Sequence, residues 1–283
     1  MATRNASRFL PEALRSVTPS VGQDAAGSVE ILVADGGSTD ETLAVAAADP
    51  RVRIVSRQDA GIYDGMNRAL ATATGDFVII LNSDDMLLPG VVGDALAALT
   101  EEPSAGWLST PTLFGPQLDG AMLRHHRSAL TSEGAMFGIP AINGRIFRRK
   151  LLGRIGPIRT DLGLAADREF MVRVARSDLS GLAFEKPFYF YRIHESSHTI
   201  SGDAAGRRRV YQAELRLAQK LLADPATDQE IQRLARASRA LARLKLRVAR
   251  ADADDTTPAG GSLLDLATGL WLARRWRGRL SGY

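Results

Sequence analysis

An α/β fold, a mixed sheet flanked by helices with a helical and basic extension behind it, is what this sequence predicts, and three observations carry the prediction. Residues 77–81 form a short, uninterrupted apolar run that suits a strand buried on both faces, residues 29–34 read as another buried strand and residues 52–55 as a short β-rich run. Segments of helical period, such as residues 62–73, separate them. Each run gives way to acids and turn formers: Asp35-Gly36-Gly37, then Asp59-Ala60-Gly61, then Asn82-Ser83-Asp84-Asp85. The carboxyl ends of strands line the ligand crevice of an open α/β sheet, so acids gathered there can hold a hard divalent cation whose other positions are filled by phosphate oxygens.

Length and composition set bounds. At 283 residues the chain accommodates one large α/β domain plus an appendage. Cysteine is absent, which excludes disulfides and thiolate metal sites and suits a reducing, cytoplasmic setting. No run approaches the roughly 20 apolar residues that span a bilayer, and the N-terminus lacks the apolar core of a signal peptide. Net charge is unevenly spread: residues 1–203 carry 20 Lys/Arg against 24 Asp/Glu, whereas residues 204–283 carry 16 against 8. A boundary near residue 203 follows, with a larger acidic body before it and a helical basic tail after it. The acidic body argues against a nucleic-acid partner, and the tail suits an anionic surface.

In chain order, Thr3-Arg4-Asn5 leads into an amphipathic segment carrying Phe9, Leu10, Leu14 and Val17. After the strand at 29–34, Ser38 and Glu41 stand at capping-box spacing and predict a helix through Ala48. Asp35 therefore sits at a strand-to-helix junction, either as a ligand-facing acid or as a turn residue before two glycines. Gly61 allows close backbone approach, and Asp59 shares the edge of Asp35 and Asp84; three acids there repel unless a cation or hydrogen-bond donors compensate them. Asn67 and Arg68 follow on a helix where they are either functional or merely solvated. Asp84 and Asp85, as strand-end carboxylates, are expected to serve a site and not the core.

Pro89 and Gly90 open a helix to Glu101, and residues 107–127 read as strands joined by a hairpin. His125 and His126 are adjacent in that region, so on a strand at most one of them joins a given site. Residues 164–175 fit a helix whose first turn holds Asp167 and Glu169, where a helix N-terminus favours ionised carboxylates. An aromatic strand at 184–193 delivers Arg192 and His194, with His198 beyond. The tail shows two helices parted by Asp224-Pro225; the second has an apolar stripe of Ile231, Leu234, Leu241, Leu244 and Val248 beside an arginine-rich face. A final segment at 263–280 mixes leucine and tryptophan with arginine, fitting either an anionic membrane interface or packing on the body.

Three ordered motifs, Asp35-Gly-Gly-Ser-Thr-Asp40, Asp59-Ala-Gly-Ile-Tyr-Asp-Gly-Met-Asn67 and Leu81-Asn-Ser-Asp-Asp85, resemble the nucleotide-binding half of the family 2 glycosyltransferases, with the likeness covering residues 3–201. That resemblance implies the GT-A fold and transfer, with inversion, of a sugar from an NDP-sugar, UDP-linked above all, to a hydroxyl of a glycan or lipid-linked acceptor. It implies Mg2+ or Mn2+ as cofactor and a bacterial role in cell-surface polysaccharide or lipopolysaccharide synthesis, in the cytoplasm or at the inner face of the membrane. Carried over residue by residue, it gives donor contacts to Thr3, Asn5, Asp35, Asp59, Gly61, Asn67 and Asp84. Metal contacts go to Asp84, Asp85 and His194, and the general base is Asp167, with Arg173 matching the family's helix arginine. The pattern departs at Asn82, where relatives carry the first acid of an Asp-x-Asp, and at Ala166, where they carry the first acid of the catalytic pair; Glu169 is the fallback base. The family's first strand precedes the Thr-x-Asn turn, so the expectation is a strand lying upstream of Met1. Two rivals are a sugar nucleotidyltransferase, whose Gly-rich basic loop is not seen, and a non-catalytic sugar-nucleotide-binding protein.

Overall fold

The computed structural model describes residues 1–21, 29–56, 58–124, 130–138, 142–195 and 204–251. His125, His126, His198 and the segment 263–280 lie outside them. The described elements are, in order, β1 (Ala2–Thr3), α1 (Leu10–Val21), β2 (Ile31–Asp35), α2 (Thr42–Ala47), β3 (Val52–Ser56), α3 (Ile62–Thr72), β4 (Phe77–Ile79), β5 (Met86–Leu87), α4 (Val91–Glu101), β6 (Ala105–Ser109), β7 (Thr112–Gly115), β8 (Met122–Arg124), α5 (Ser132–Phe137), β9 (Arg145–Arg148), α6 (Arg149–Ile155), α7 (Ala166–Ala175), β10 (Ser180–Ala183), β11 (Tyr189–Arg192), α8 (Ala204–Ala223) and α9 (Gln229–Ala251). A 3-10 turn at Thr160–Ala165 leads into α7.

These elements form two compact units. The first takes residues 1–130, 141–160 and 173–193; the described part of the second is 131–138, 161–172, 194–195 and 204–251. The division therefore differs from the one at residue 203 expected from charge: α5 and the start of α7 go with the tail helices.

In the first unit, β1, β2 and β3 are parallel, with Thr3 opposite Asp35 and Asp35 opposite Ser56, so their carboxyl ends finish level. β4 pairs antiparallel with β9, β9 with β6, and β6 runs parallel to β10. A third group has β11 between β5 and β7, and the expected hairpin joins β7 to β8. The mixture of parallel and antiparallel pairing is the mixed α/β sheet predicted. Its core gathers Leu10, Leu14 and Val17 of α1, Val33 of β2, Val92 and Leu99 of α4 and Ile146 of β9. The spacing of Leu10, Leu14, Val17 and Val21 puts them on one face of α1, which explains their burial.

One local reading changes. Ser38 does not open α2, which begins only at Thr42. Its hydroxyl donates to Asp35 at 2.5 Å and accepts the Asn5 N–H at 2.8 Å, so it is committed to the strand ends. Asp40 instead turns the chain into α2: its Oδ1 accepts the Thr42 N–H at 3.0 Å and the Thr42 hydroxyl at 2.5 Å.

In the second unit α8 and α9 pack along each other, and α5 also meets α9. The buried seam of α9 is Ile231, Leu234, Ala235, Ser238 and Ala242, with Ala213, Leu217 and Ala218 facing from α8. The expected apolar stripe is thereby corrected. Val248, expected in the stripe, is 53 % exposed. Arg233, Arg236 and Arg243 are exposed, as their place opposite the seam requires.

Candidate active site

Asp35 ends β2 with its carboxylate fully buried. Oδ1 accepts the hydroxyls of Thr3 at 3.1 Å and Ser38 at 2.5 Å; Oδ2 accepts the N–H groups of Gly37 at 3.0 Å and Ser38 at 2.9 Å. Burial alone would raise its pKa, but these four donors outweigh it and hold the group below the usual carboxylate value. Asp35 is the post around which residues 36–38 are wound. Thr3, itself buried, belongs to the same post.

Asn5 stands beside it at φ 49°, a left-handed conformation that costs a non-glycine residue energy and that concentrates at functional sites. Its side-chain oxygen accepts the Thr39 N–H at 2.9 Å, tying the first loop to the second. Asn5 itself is exposed.

Asp59 approaches the same strand end from the loop after β3. A Cβ on Gly36 would lie 2.5 Å from its Oδ2, and one on Gly65 would lie 3.1 Å from the same atom, so glycine at both positions admits the carboxylate. Arg68 on α3 pairs with Asp59 at 3.3 Å and Asp64 at 3.6 Å. The side chain of Asp59 is 6 % exposed, so it too is turned inward. Gly61, exposed at φ 123°, caps α3, and its N–H donates to Asp59 Oδ1 at 3.1 Å. The crowding of acids is thus compensated by donors and by Arg68. The Asn67 amide donates to the Ile158 carbonyl at 2.7 Å and its oxygen accepts the Ile158 N–H at 2.8 Å. Both functional groups face a backbone 91 residues away, so the residue clamps the turn after α6.

At the end of β4 the two adjacent acids differ. Asp85 is 1 % exposed. Its Oδ2 accepts the Tyr189 hydroxyl at 2.6 Å and the Asn82 amide at 2.9 Å, and its Oδ1 accepts the Arg192 N–H at 2.8 Å. Burial first, then the charge of Asp84, push its pKa up to about 7. Asp85 is therefore part of the core, which was not expected: its two oxygens tie the turn before β5 to Tyr189 and Arg192 of β11. Tyr189 in turn accepts from Asn143 at 2.7 Å and from the Asn82 N–H at 3.2 Å, so the buried hydroxyl is fully satisfied. Asp84 is half-buried, and Arg192 Nε donates to its carbonyl at 2.9 Å while the same guanidinium reaches Glu12 at 2.5 Å. That arrangement fixes the backbone from which the Asp84 carboxylate projects.

Sequence reasoning missed Tyr189, Asn143 and Arg192 as partners of the acids. One signal was available: a tyrosine in a buried strand needs an acceptor for its hydroxyl, and Asp85 lay at the end of the other buried strand that needed a donor.

Asp167 and His194 belong to the second unit. Asp167 lies in the first turn of α7, half-buried, with Oδ1 accepting the Arg168 N–H at 2.7 Å. Desolvation pushes its pKa up to about 6, with Arg168 working in the opposite direction. Glu169, the fallback, is 7 % exposed and less accessible. Arg168 anchors the helix: Nη1 donates to the carbonyls of Ala135, Met136 and Gly138 at 2.5–3.1 Å, and Nη2 pairs with Glu214 at 3.2 Å. Arg173 donates to the carbonyls of Ile155 and, at 2.7 Å, Pro157, capping the end of α6. Among the described residues, no three His, Asp or Glu side chains form a ready-made cation cage, and no helix is long and apolar enough to cross a membrane.

Comparison with known proteins joins these observations. Residues 1–158 match the model of glycosyl transferase family 2. A PGL/p-HBAD biosynthesis glycosyltransferase of Mycobacterium bovis is 30% identical over 177 residues, which are 60% of this chain and 66% of that protein, so the chain spans just under two thirds of that relative. Residues 1–349 of Staphylococcus aureus TarS, solved with UDP-GlcNAc, superpose with a TM-score of 0.67 at 18% identity, covering 95% of this chain and 76% of that one. The mannosyltransferase PcManGT of Pyrobaculum calidifontis, solved with GDP-Man and Mn2+, gives a TM-score of 0.60 at 22% identity, covering 99% and 81%. At such identities the likeness speaks for the fold, and the fold is GT-A, as expected.

Proposed function

Because the chain belongs to glycosyl transferase family 2, we propose that it transfers a sugar, with inversion, from an NDP-sugar to a hydroxyl of a glycan or lipid-linked acceptor of the cell surface. The observation that carries this reading is the end of β4, where a half-exposed acid projects from backbone that Arg192 and the buried Asp85 hold in place. A carboxylate so fixed suits a diphosphate-bound cation. Of the two acids, Asp84 is the one fitted to hold Mg2+ or Mn2+, since Asp85 has spent its oxygens; His194 was expected as a further donor. A bound cation supplies neutralisation of the charge that develops on the departing diphosphate.

The chain's own residues divide the remaining work. Asn5, Gly37 and Gly61 shape the loops at the ends of β1, β2 and β3, and these loops are proposed to receive the nucleoside. Asp35, Asp59 and Asn67 hold those loops from behind. Asp167 takes the proton from the acceptor hydroxyl as it attacks the anomeric carbon, a role served by a pKa near 6, which leaves the group ionised at neutral pH yet basic enough to accept the proton. Names and ligands of the similar proteins favour UDP- or GDP-sugars as first donors to test.

The test has two stages. A thermal-shift screen of UDP- and GDP-sugars with Mn2+ should show one stabilising donor, and that donor should release free NDP when an acceptor is supplied. Asp167→Asn should then lower turnover by about a hundredfold or more with donor affinity unchanged. Glu169→Gln should have little effect on turnover. A normal Asp167→Asn beside a slow Glu169→Gln moves the base to Glu169, and the absence of any donor shift overturns the transferase reading.

A further inference from the structure

α7 starts directly where the 3-10 turn at Thr160–Ala165 ends, and Gly163 inside that turn, at φ 54°, breaks the helical run. Local structure therefore does little to hold the turn that carries Asp167, and the hold comes from the tail helices of the same unit. Arg168, next to Asp167, is 8 % exposed; its Nη1 is taken by carbonyls at the end of α5, and its Nη2 donates to Glu214 Oε1 of α8 at 3.2 Å. The other oxygen of Glu214 accepts from Lys245 Nζ of α9 at 3.0 Å, and that ammonium lies 5.0 Å from the centre of the Tyr211 ring. Further along α8, Lys220 pairs with Asp161 of the 3-10 turn. Two tethers from α8, at Asp161 and Arg168, thus bracket Asp167.

The make-up of α8 sets Glu214 apart. Its 20 residues include five Arg and Lys but a single acid. That acid is turned inward, with its side chain 12 % exposed and both oxygens taken by cations. For joining helices an apolar contact would serve as well as a buried ion pair. What the ions add is a field at the neighbouring carboxyl. The Arg168 charge lowers the pKa of Asp167 against the upward push of desolvation, and Glu214 offsets that cation from 46 residues further along the chain. Asp161 and Lys220 balance each other, while Arg168, Glu214 and Lys245 together leave one positive charge; Glu169 and Glu133 are the other acids of α7 and α5.

We propose that Glu214 is a positioning residue for Asp167: by gripping Arg168 it fixes the first turn of α7, and its charge offsets the cation beside the base. The tail helices then take part in catalysis and are more than an appendage. This inference rests on Asp167 being the base, as proposed above.

The experiment uses the full chain and three variants, Glu214→Gln, Glu214→Ala and Asp167→Asn. The titration midpoint of Asp167 is read by 13C NMR of the aspartate carboxyls, its signal being the one missing from Asp167→Asn. Turnover is read as free NDP released from UDP-GlcNAc or GDP-Man with Mn2+, water serving as acceptor. Glu214→Gln keeps an oxygen for Arg168 and removes the charge, so the Asp167 midpoint should fall by about 0.5 pH unit or more. A role confined to holding helices together would lower Tm and leave the midpoint where it was. Glu214→Ala also frees Arg168, and turnover should drop about tenfold or more with the donor KM unchanged. An unmoved midpoint in Glu214→Gln overturns the proposal, and that titration decides alone if Glu214→Ala does not fold or neither donor is hydrolysed. Normal turnover in Glu214→Ala beside a slow Asp167→Asn overturns it too, while leaving Asp167 as the base. Normal turnover in Asp167→Asn defeats the base reading itself, and the role of Glu214 falls with it.

Discussion

Asp35 at the end of β2 and Asp85 just before β5 are equally sealed from solvent, yet their carboxyls are driven in opposite directions. Around Asp35, burial is outweighed by two hydroxyls and two backbone N–H groups, and its pKa falls. Around Asp85, burial is joined by the like charge of Asp84 next door, and the donors of Tyr189, Arg192 and Asn82 offset only part of this, so its pKa rises to about 7. The residue type does not decide the role; the count of donors and the neighbouring charge do. Asp35 is a permanent anion that winds a loop. Asp85, its pKa raised to about 7, works as a buried hydrogen-bond hub that joins Asn82, Tyr189 and Arg192.

Three measurements sharpen or break this contrast. The largest effect belongs to Asp85→Ala, which strands the Tyr189 hydroxyl, the Arg192 N–H and the Asn82 amide inside the protein; a loss of about 3 kcal/mol in chemical denaturation is expected. A stable Asp85→Ala that has lost only metal-dependent NDP binding would restore Asp85 to the site. Asp35→Ala comes next, at about 2 kcal/mol, since its loop can partly turn to water. Added proteolysis within residues 36–39 is the accompanying sign, and an unchanged Tm would break the comparison at that end.

The smallest effect is the most discriminating. Asp85 has a raised pKa in the fold, so its contribution to stability is complete below about pH 4 and is lost as pH rises towards 7. Asp35 has a lowered pKa, so its contribution is present above about pH 4 and is lost on further acidification. Asp85→Asn, which cannot titrate, should therefore lag the parent most near pH 5 and by less near pH 8, a change of about 1 kcal/mol or more in the difference between them. A difference constant across that range would mean that Asp85 is ionised throughout.

Much of this protein was legible in its sequence. The alternation of apolar runs with helical periods depends on contacts a few residues apart, so the strands at β2, β3 and β4, the helices α3 and α4 and the paired tail helices followed from local pattern. The acids at strand ends, and the likeness to a nucleotide-sugar-binding family, were visible for the same reason: a motif is a local object. Where local rules competed they misled, as with Ser38, whose hydroxyl was claimed by Asp35 instead of a helix.

What only the tertiary structure decided is which polar group faces which. Tyr189 meets Asp85 across 104 residues and the Arg192 N–H meets it across 107, while Asn67 finds Ile158 across 91. Separations of that size leave no trace in spacing or periodicity. The sequence by itself determined that acids would gather on one edge of a sheet; the fold alone determined that Asp35, Asp59 and Asp85 turn inward to hold it and that Asp84 does not. The physical reason is desolvation, whose cost depends on the number of donors brought to a buried carboxylate from distant parts of the chain, and that number exists only once the chain has folded.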